Sequence, residues 1–68
     1  MLDVKALKAE MVRNDYTQDR LAGELGISPR TLYNKLKSGE FGNKEMEIMI
    51  DKLKLQDPMA IFFAKAVT

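Results

Sequence analysis

Apolar residues recur along this chain at three- and four-residue spacing, the period of a helix with one buried face. Val4, Leu7 and Met11 form the first such stripe, predicting a helix from about Leu2 to Arg13. Asn14-Asp15 is a polar break. A second helix opens at Thr17, whose hydroxyl can cap free backbone N–H groups, and buries Leu21, Ala22 and Leu25. Gly26 ends it, in the left-handed conformation that follows many helices. After Ile27, Ser28 caps a third helix, with Pro29 at the first helical position and Leu32 and Leu36 stacked inward. Ser38 to Gly42 reads as a loop. Asn43 is expected to cap a fourth helix with Met46, Met49 or Ile50, and Leu53 inside. Asp57-Pro58 repeats the cap-then-proline signal and starts a fifth. No alternating run suggests a strand. The expected fold class is therefore all-α, five short helices in one domain over residues 1–68.

A chain of 68 residues buries a modest core. It has neither Cys nor His, so no disulfide and no ordinary zinc site is expected. Stability must come from helix packing, helped in part by self-association. The N-terminus places charges where a secretory signal would need an apolar segment. The longest apolar run, Met59 to Ala64, is too short to span a membrane. A soluble cytoplasmic protein without cofactor, metal or membrane partner is expected. Net charge is only +1, yet Ser28 to Ser38 carries Arg30, Lys35 and Lys37 and no acid, leaving the remainder at −2. A basic face on a near-neutral body suits a groove-reading module, although small charge runs are more often plain solvated surface.

The window from about 17 to 37 has internal spacing that such a module needs. Gln18 opens the first of two helices, Ala22 follows after four residues, Gly26 after four more and Leu32 after another six. Ala22 is small enough for close approach of the paired helix. Gly26 makes a turn that a β-carbon would resist. Leu21, Leu25, Ile27 and Leu32 fix the crossing, leaving the third helix to protrude into a DNA major groove. Gln18-Asp-Arg-Leu-Ala-Gly-Glu-Leu-Gly-Ile-Ser-Pro-Arg-Thr-Leu resembles the helix-turn-helix of the phage Cro and repressor (XRE-like) family. Arg30-Thr-Leu-Tyr-Asn-Lys-Leu, Glu40-Phe41 and Asp57-Pro58-Met-Ala-Ile-Phe-Phe-Ala are similar to small phage regulators of Gram-positive bacteria. The resemblance implies a lambda-repressor-like fold over nearly the whole chain. The chain departs from that pattern at Lys35, where an apolar residue is usual. Leu36 is expected to take the packing role and leave Lys35 free for phosphate. Met11 and Leu36 stand where many repressors pair an Arg with a Glu, predicting an apolar contact there.

Base contacts are expected from Pro29, Arg30, Thr31, Tyr33 and Asn34. Arg30 can donate two hydrogen bonds to guanine O6 and N7, and Asn34 can make the paired contact to adenine. Thr31 can meet a thymine methyl or a phosphate. Tyr33 can line the groove or be partly buried. Phosphate contacts, which set position rather than specificity, are expected from Gln18, Ser28, Lys35, Lys37, Asn43 and Lys44. Gln18 is assigned by the resemblance; Pro29 cannot buttress it as a Gln does in some relatives. For each lysine the competing reading is solubility alone.

The last helix, from Met59 to Val67, is apolar on more than one side. Met59, Phe62, Phe63 and Val67 form a candidate partner patch, for a homodimer at least on DNA, or for closing the core itself. The leading function is sequence-specific binding of double-stranded DNA as a Cro-like transcription repressor. The alternative is an antirepressor that binds a second regulator protein; a third is an excisionase-like DNA-bending protein. An enzyme is not expected, since no His, Cys, phosphate-cradling loop or grouped carboxylates are present.

Overall fold

In a computed structural model, which describes residues 1–64, five helices follow one another: α1 (Val4–Arg13), α2 (Gln18–Leu25), α3 (Pro29–Ser38), α4 (Asn43–Lys52) and α5 (Pro58–Phe62). Among the described residues there is no strand. The fold class is all-α, as the hydrophobic spacing predicts.

Caps place most of the boundaries. Thr17 Oγ1 accepts from the Arg20 N–H at 3.1 Å, Ser28 Oγ from Thr31 N–H at 3.1 Å, and Asp57 Oδ1 from Ala60 N–H at 3.3 Å. Two starts differ from expectation. Asp3 caps α1 through the Ala6 N–H, so that helix begins at Val4 rather than Leu2. Leu2 is freed to bury itself, and the Asp3 N–H donates to Ile61 O at 2.7 Å, tying the N-terminus to α5. The cap of α4 is Gly42, not Asn43, which is already helical. Glu45 makes up for the missing side chain there: its Oε1 accepts from the Gly42 N–H at 2.8 Å. The α3 helix also runs through Ser38, so the following loop begins at Gly39.

Three helices end alike. The N–H groups of Tyr16, Ile27 and Leu55 each reach back five residues, to the carbonyls of Met11, Ala22 and Ile50. The residue before each acceptor turn closes is left-handed: Asp15 (φ 59°), Gly26 (φ 71°) and Lys54 (φ 51°). This Schellman geometry satisfies the last carbonyls and folds an apolar residue back on the helix. Tyr16 and Ile27 pack against the core and Leu55 is part of it. At Gly26 a β-carbon would meet nothing within 4 Å, so the demand for glycine is conformational alone. Gly26→Ala is therefore expected to cost about 1–2 kcal/mol, the strain of a left-handed alanine. Urea melts of the two proteins check this; an unchanged midpoint would contradict it.

The core draws on every helix. Leu7, Leu21, Leu32, Met49 and Leu53 are its largest fully enclosed side chains, joined by Leu2, Met11, Ala22, Leu36, Leu55, Ile61 and Phe62. Met11 and Leu36 both lie in this cluster, where no polar or charged residue is buried among the described residues. Apolar residues at these two positions avoid the desolvation that two buried charges would require. The α2 helix packs against both α3 and α4, and α1 packs against α5. Asn14 adds a polar tie: its side-chain N–H₂ donates to Glu10 O and to Leu53 O, each at 2.8 Å, joining the ends of α1 and α4. On the surface, a hydrogen bond to Glu24 raises the Lys52 ammonium above the usual lysine pKa, with the nearby Glu24 charge adding to it. At 3.3 Å this pair links α2 to α4 in open solvent and is worth little.

The last helix is shorter than its composition suggests. It ends at Phe62, and Val67 lies outside the described residues. Phe62 is 7% exposed and belongs to the core, not to a partner patch. With only five residues, α5 turns Ile61 and Phe62 inward together, leaving Met59 and Phe63 in solvent. No helix is long and apolar enough to cross a membrane among the described residues.

Candidate nucleic-acid interface

The α3 helix is seated by Leu32 and Leu36, both buried. With roughly 100° between successive residues of a helix, Asn34 points almost directly away from that pair. Arg30, one turn earlier, lies beside Asn34, and Thr31, Lys37 and Ser38 flank them. Pro29, Arg30, Thr31, Tyr33, Asn34 and Lys37 are all exposed. Every residue expected to face bases therefore lies in solvent. Arg30 has no carboxylate partner among the described residues. Its guanidinium remains available for a planar, two-bonded acceptor.

Tyr33 resolves between its two readings in favour of the surface. It is 48% exposed, and the Lys37 Nζ sits 5.6 Å from its ring centre. The ring thus supports one cation at the edge of the α3 face. Beside it runs a shallow hollow of about 230 Å³ lined by Val4, Lys8, Gln18, Tyr33, Leu36 and Lys37. Here α1, the start of α2 and the later half of α3 meet. Gln18 is the first residue of α2, where unpaired backbone N–H groups and the helix dipole favour an anion. Two ammonium groups, Lys8 and Lys37, line the same hollow. Lys8 is a candidate that sequence reasoning missed. Its place depends on how α1 crosses the other two helices, for which the spacing of α1 carries no signal.

Other expected contacts are committed elsewhere. Lys35 is not free: its Nζ donates to Glu45 Oε1 at 3.1 Å across the α3–α4 turn. Ser28 Oγ is engaged twice, accepting from the Thr31 N–H and donating to Thr31 Oγ1 at 2.9 Å. Its hydroxyl therefore serves the cap, and a phosphate would have to displace Thr31 to receive that proton. Asn43 and Lys44 are exposed at the start of α4. Asn43 borders a different hollow, of about 310 Å³, between α4 and α5, lined by Met46, Ile50, Pro58, Met59, Phe62 and Phe63 among others.

The arrangement suits binding to a nucleic-acid surface. Among the described residues, no three His, Cys, Asp or Glu side chains converge as a metal site. What it offers is a convex helix with donors outward and cations at its flanks, which is the form of a major-groove reader.

Comparison with protein families matches residues 2–38 to the one described as bacterial regulatory protein, Fis family, a helix-turn-helix family. That stretch spans α1, α2 and α3, the whole of the hollow around Gln18 and the exposed α3 face. The match supports a helix-turn-helix regulator without singling out the phage Cro and repressor group. No curated protein and no solved structure matches the chain.

Proposed function

Because the chain belongs to the Fis family of bacterial regulatory proteins, and is thereby a helix-turn-helix DNA-binding regulator, we propose that it is a Cro-like repressor reading the major groove with α3. One observation carries this reading: the face of α3 opposite Leu32 and Leu36 presents Arg30 and Asn34 to solvent, on a helix with no acid. Arg30 reads guanine and Asn34 adenine. Pro29, Thr31 and Tyr33 fill the groove around them. Gln18, Lys8 and Lys37 take one phosphate run, and Asn43 and Lys44 the flanking one. The protein acts in the cytoplasm, with residues 1–68 forming one domain. It blocks polymerase by occupancy and performs no chemistry.

Binding to random duplex DNA across a salt series tests the first step. Affinity is expected to fall steeply as salt rises, because phosphate contacts release counterions. Sequences then selected from a random pool should share a short motif. Salt-independent or absent binding would overturn the reading.

Met59 is 64% exposed and Phe63 56%, both beside the apolar hollow between α4 and α5. This surface supports a homodimer, in which Phe63 of each copy enters the hollow of the other, with half-sites about one DNA turn apart. Sedimentation across a concentration series, with and without operator DNA, is expected to show dimers for the natural chain and monomers for Phe63→Glu. A monomer under every condition would instead favour the second reading of this patch, as the seat of another regulator protein.

A further inference from the structure

Lys35 is the one cation of α3 held by a carboxylate among the described residues. Glu45 stands at the third position of α4, and a single oxygen of it takes two donors: the Gly42 N–H at 2.8 Å and Lys35 Nζ at 3.1 Å. The side chains are 30% and 18% exposed, so the pair is shielded from full solvent screening. The same carboxylate thus starts α4 and removes one positive charge from the flank of the DNA-facing helix. Arg30 and Lys37 carry no such partner. Nothing in the packing requires Lys35 to be a cation, since Leu36 supplies the buried contact at this turn.

We propose that Glu45 is a positioning residue that limits sequence-independent DNA binding by holding Lys35 away from phosphate. The proposal rests on the DNA-binding reading above. It assigns the α3–α4 ion pair a role in setting how many phosphate charges the protein neutralises. Each phosphate contact contributes about 0.9 to the slope of log affinity against log salt concentration on duplex DNA. Release of Lys35 therefore has a countable signature that a purely structural cap lacks.

The test measures random-duplex affinity over a salt series for the natural chain, Glu45→Gln, and the double variant Glu45→Gln/Lys35→Met. Glutamine keeps an oxygen for the Gly42 N–H and removes the charge. Glu45→Gln is expected to bind tighter at low salt, with a slope steeper by about 0.9. The double variant is expected to return to the natural slope. Thermal melts confirm that each variant is folded; Glu45→Ser, which also removes the charge, replaces the glutamine variant if that one is not. An unchanged slope in the single variant would overturn this inference alone. So would a steeper slope that persists in the double variant, since the added phosphate contact would then not be made by Lys35. Absence of salt-dependent binding by the natural chain would sink this inference and the DNA-binding reading together.

Discussion

Leu32→Ala is expected to destabilise the protein by about 2–5 kcal/mol, enough to unfold much of the population at room temperature. Leu32 is fully enclosed, at the contact where α3 lies on α2. Truncation removes three buried carbons and leaves a cavity in a core that also encloses Leu21 and Met49, whose walls are helix faces that cannot collapse freely. A folded chain of this length has only roughly 3–10 kcal/mol to lose. Because Leu32 stands between Thr31 and Tyr33, the same truncation loosens the helix that carries Arg30 and Asn34. Urea denaturation followed by circular dichroism gives the stability, and a loss under 1 kcal/mol would show that α3 is seated by something else. DNA binding should fail with folding, whereas Asn34→Ala on the opposite face is expected to leave the melt unchanged.

The second large effect concerns recognition. Arg30→Ala is expected to weaken binding to a selected site by about 1–3 kcal/mol and to relax preference at one base pair. If Arg30 donates two hydrogen bonds to one guanine, as proposed, no neighbour can replace it, since Asn34 is one turn away and Lys35 is held by Glu45. Lys37→Ala should behave differently. Its ammonium rests over Tyr33 beside Gln18, at the edge of α3 rather than its crest. Its loss is expected to weaken all sequences alike and to reduce the salt slope by about one phosphate contact. Gel shifts of both variants on selected and random duplexes, at two salt concentrations, separate the cases. Equal behaviour of the two variants would refute the division between base-reading and phosphate-holding positions.

What was legible in the sequence has a common cause. Thr17, Ser28 and Asp57 cap helices through bonds to residues three positions on, and Gly26 and Gly39 turn the chain through their own backbone angles. These are local events, complete within a few residues, so residue type and spacing announce them. The stripe of Leu32 and Leu36 is likewise local, and with it the outward face of Arg30 and Asn34. The end of α4 was less visible because Lys54 takes the left-handed position where glycine would have marked it. The cap of α4 lies one residue before Asn43, the position its residue type suggests, because the Gly42 N–H is satisfied from ahead by Glu45.

By itself, the chain's order of residues determined the five helices, the caps at Thr17, Ser28 and Asp57, and the exposed donors of α3. Tertiary structure decided that Phe62 is core while Phe63 is surface, that Lys8 joins Gln18 and Lys37, and that Glu45 occupies Lys35. Helix periodicity states which side of each cylinder is apolar. It does not state the rotation at which two cylinders cross, and that rotation sets which flanking charges meet.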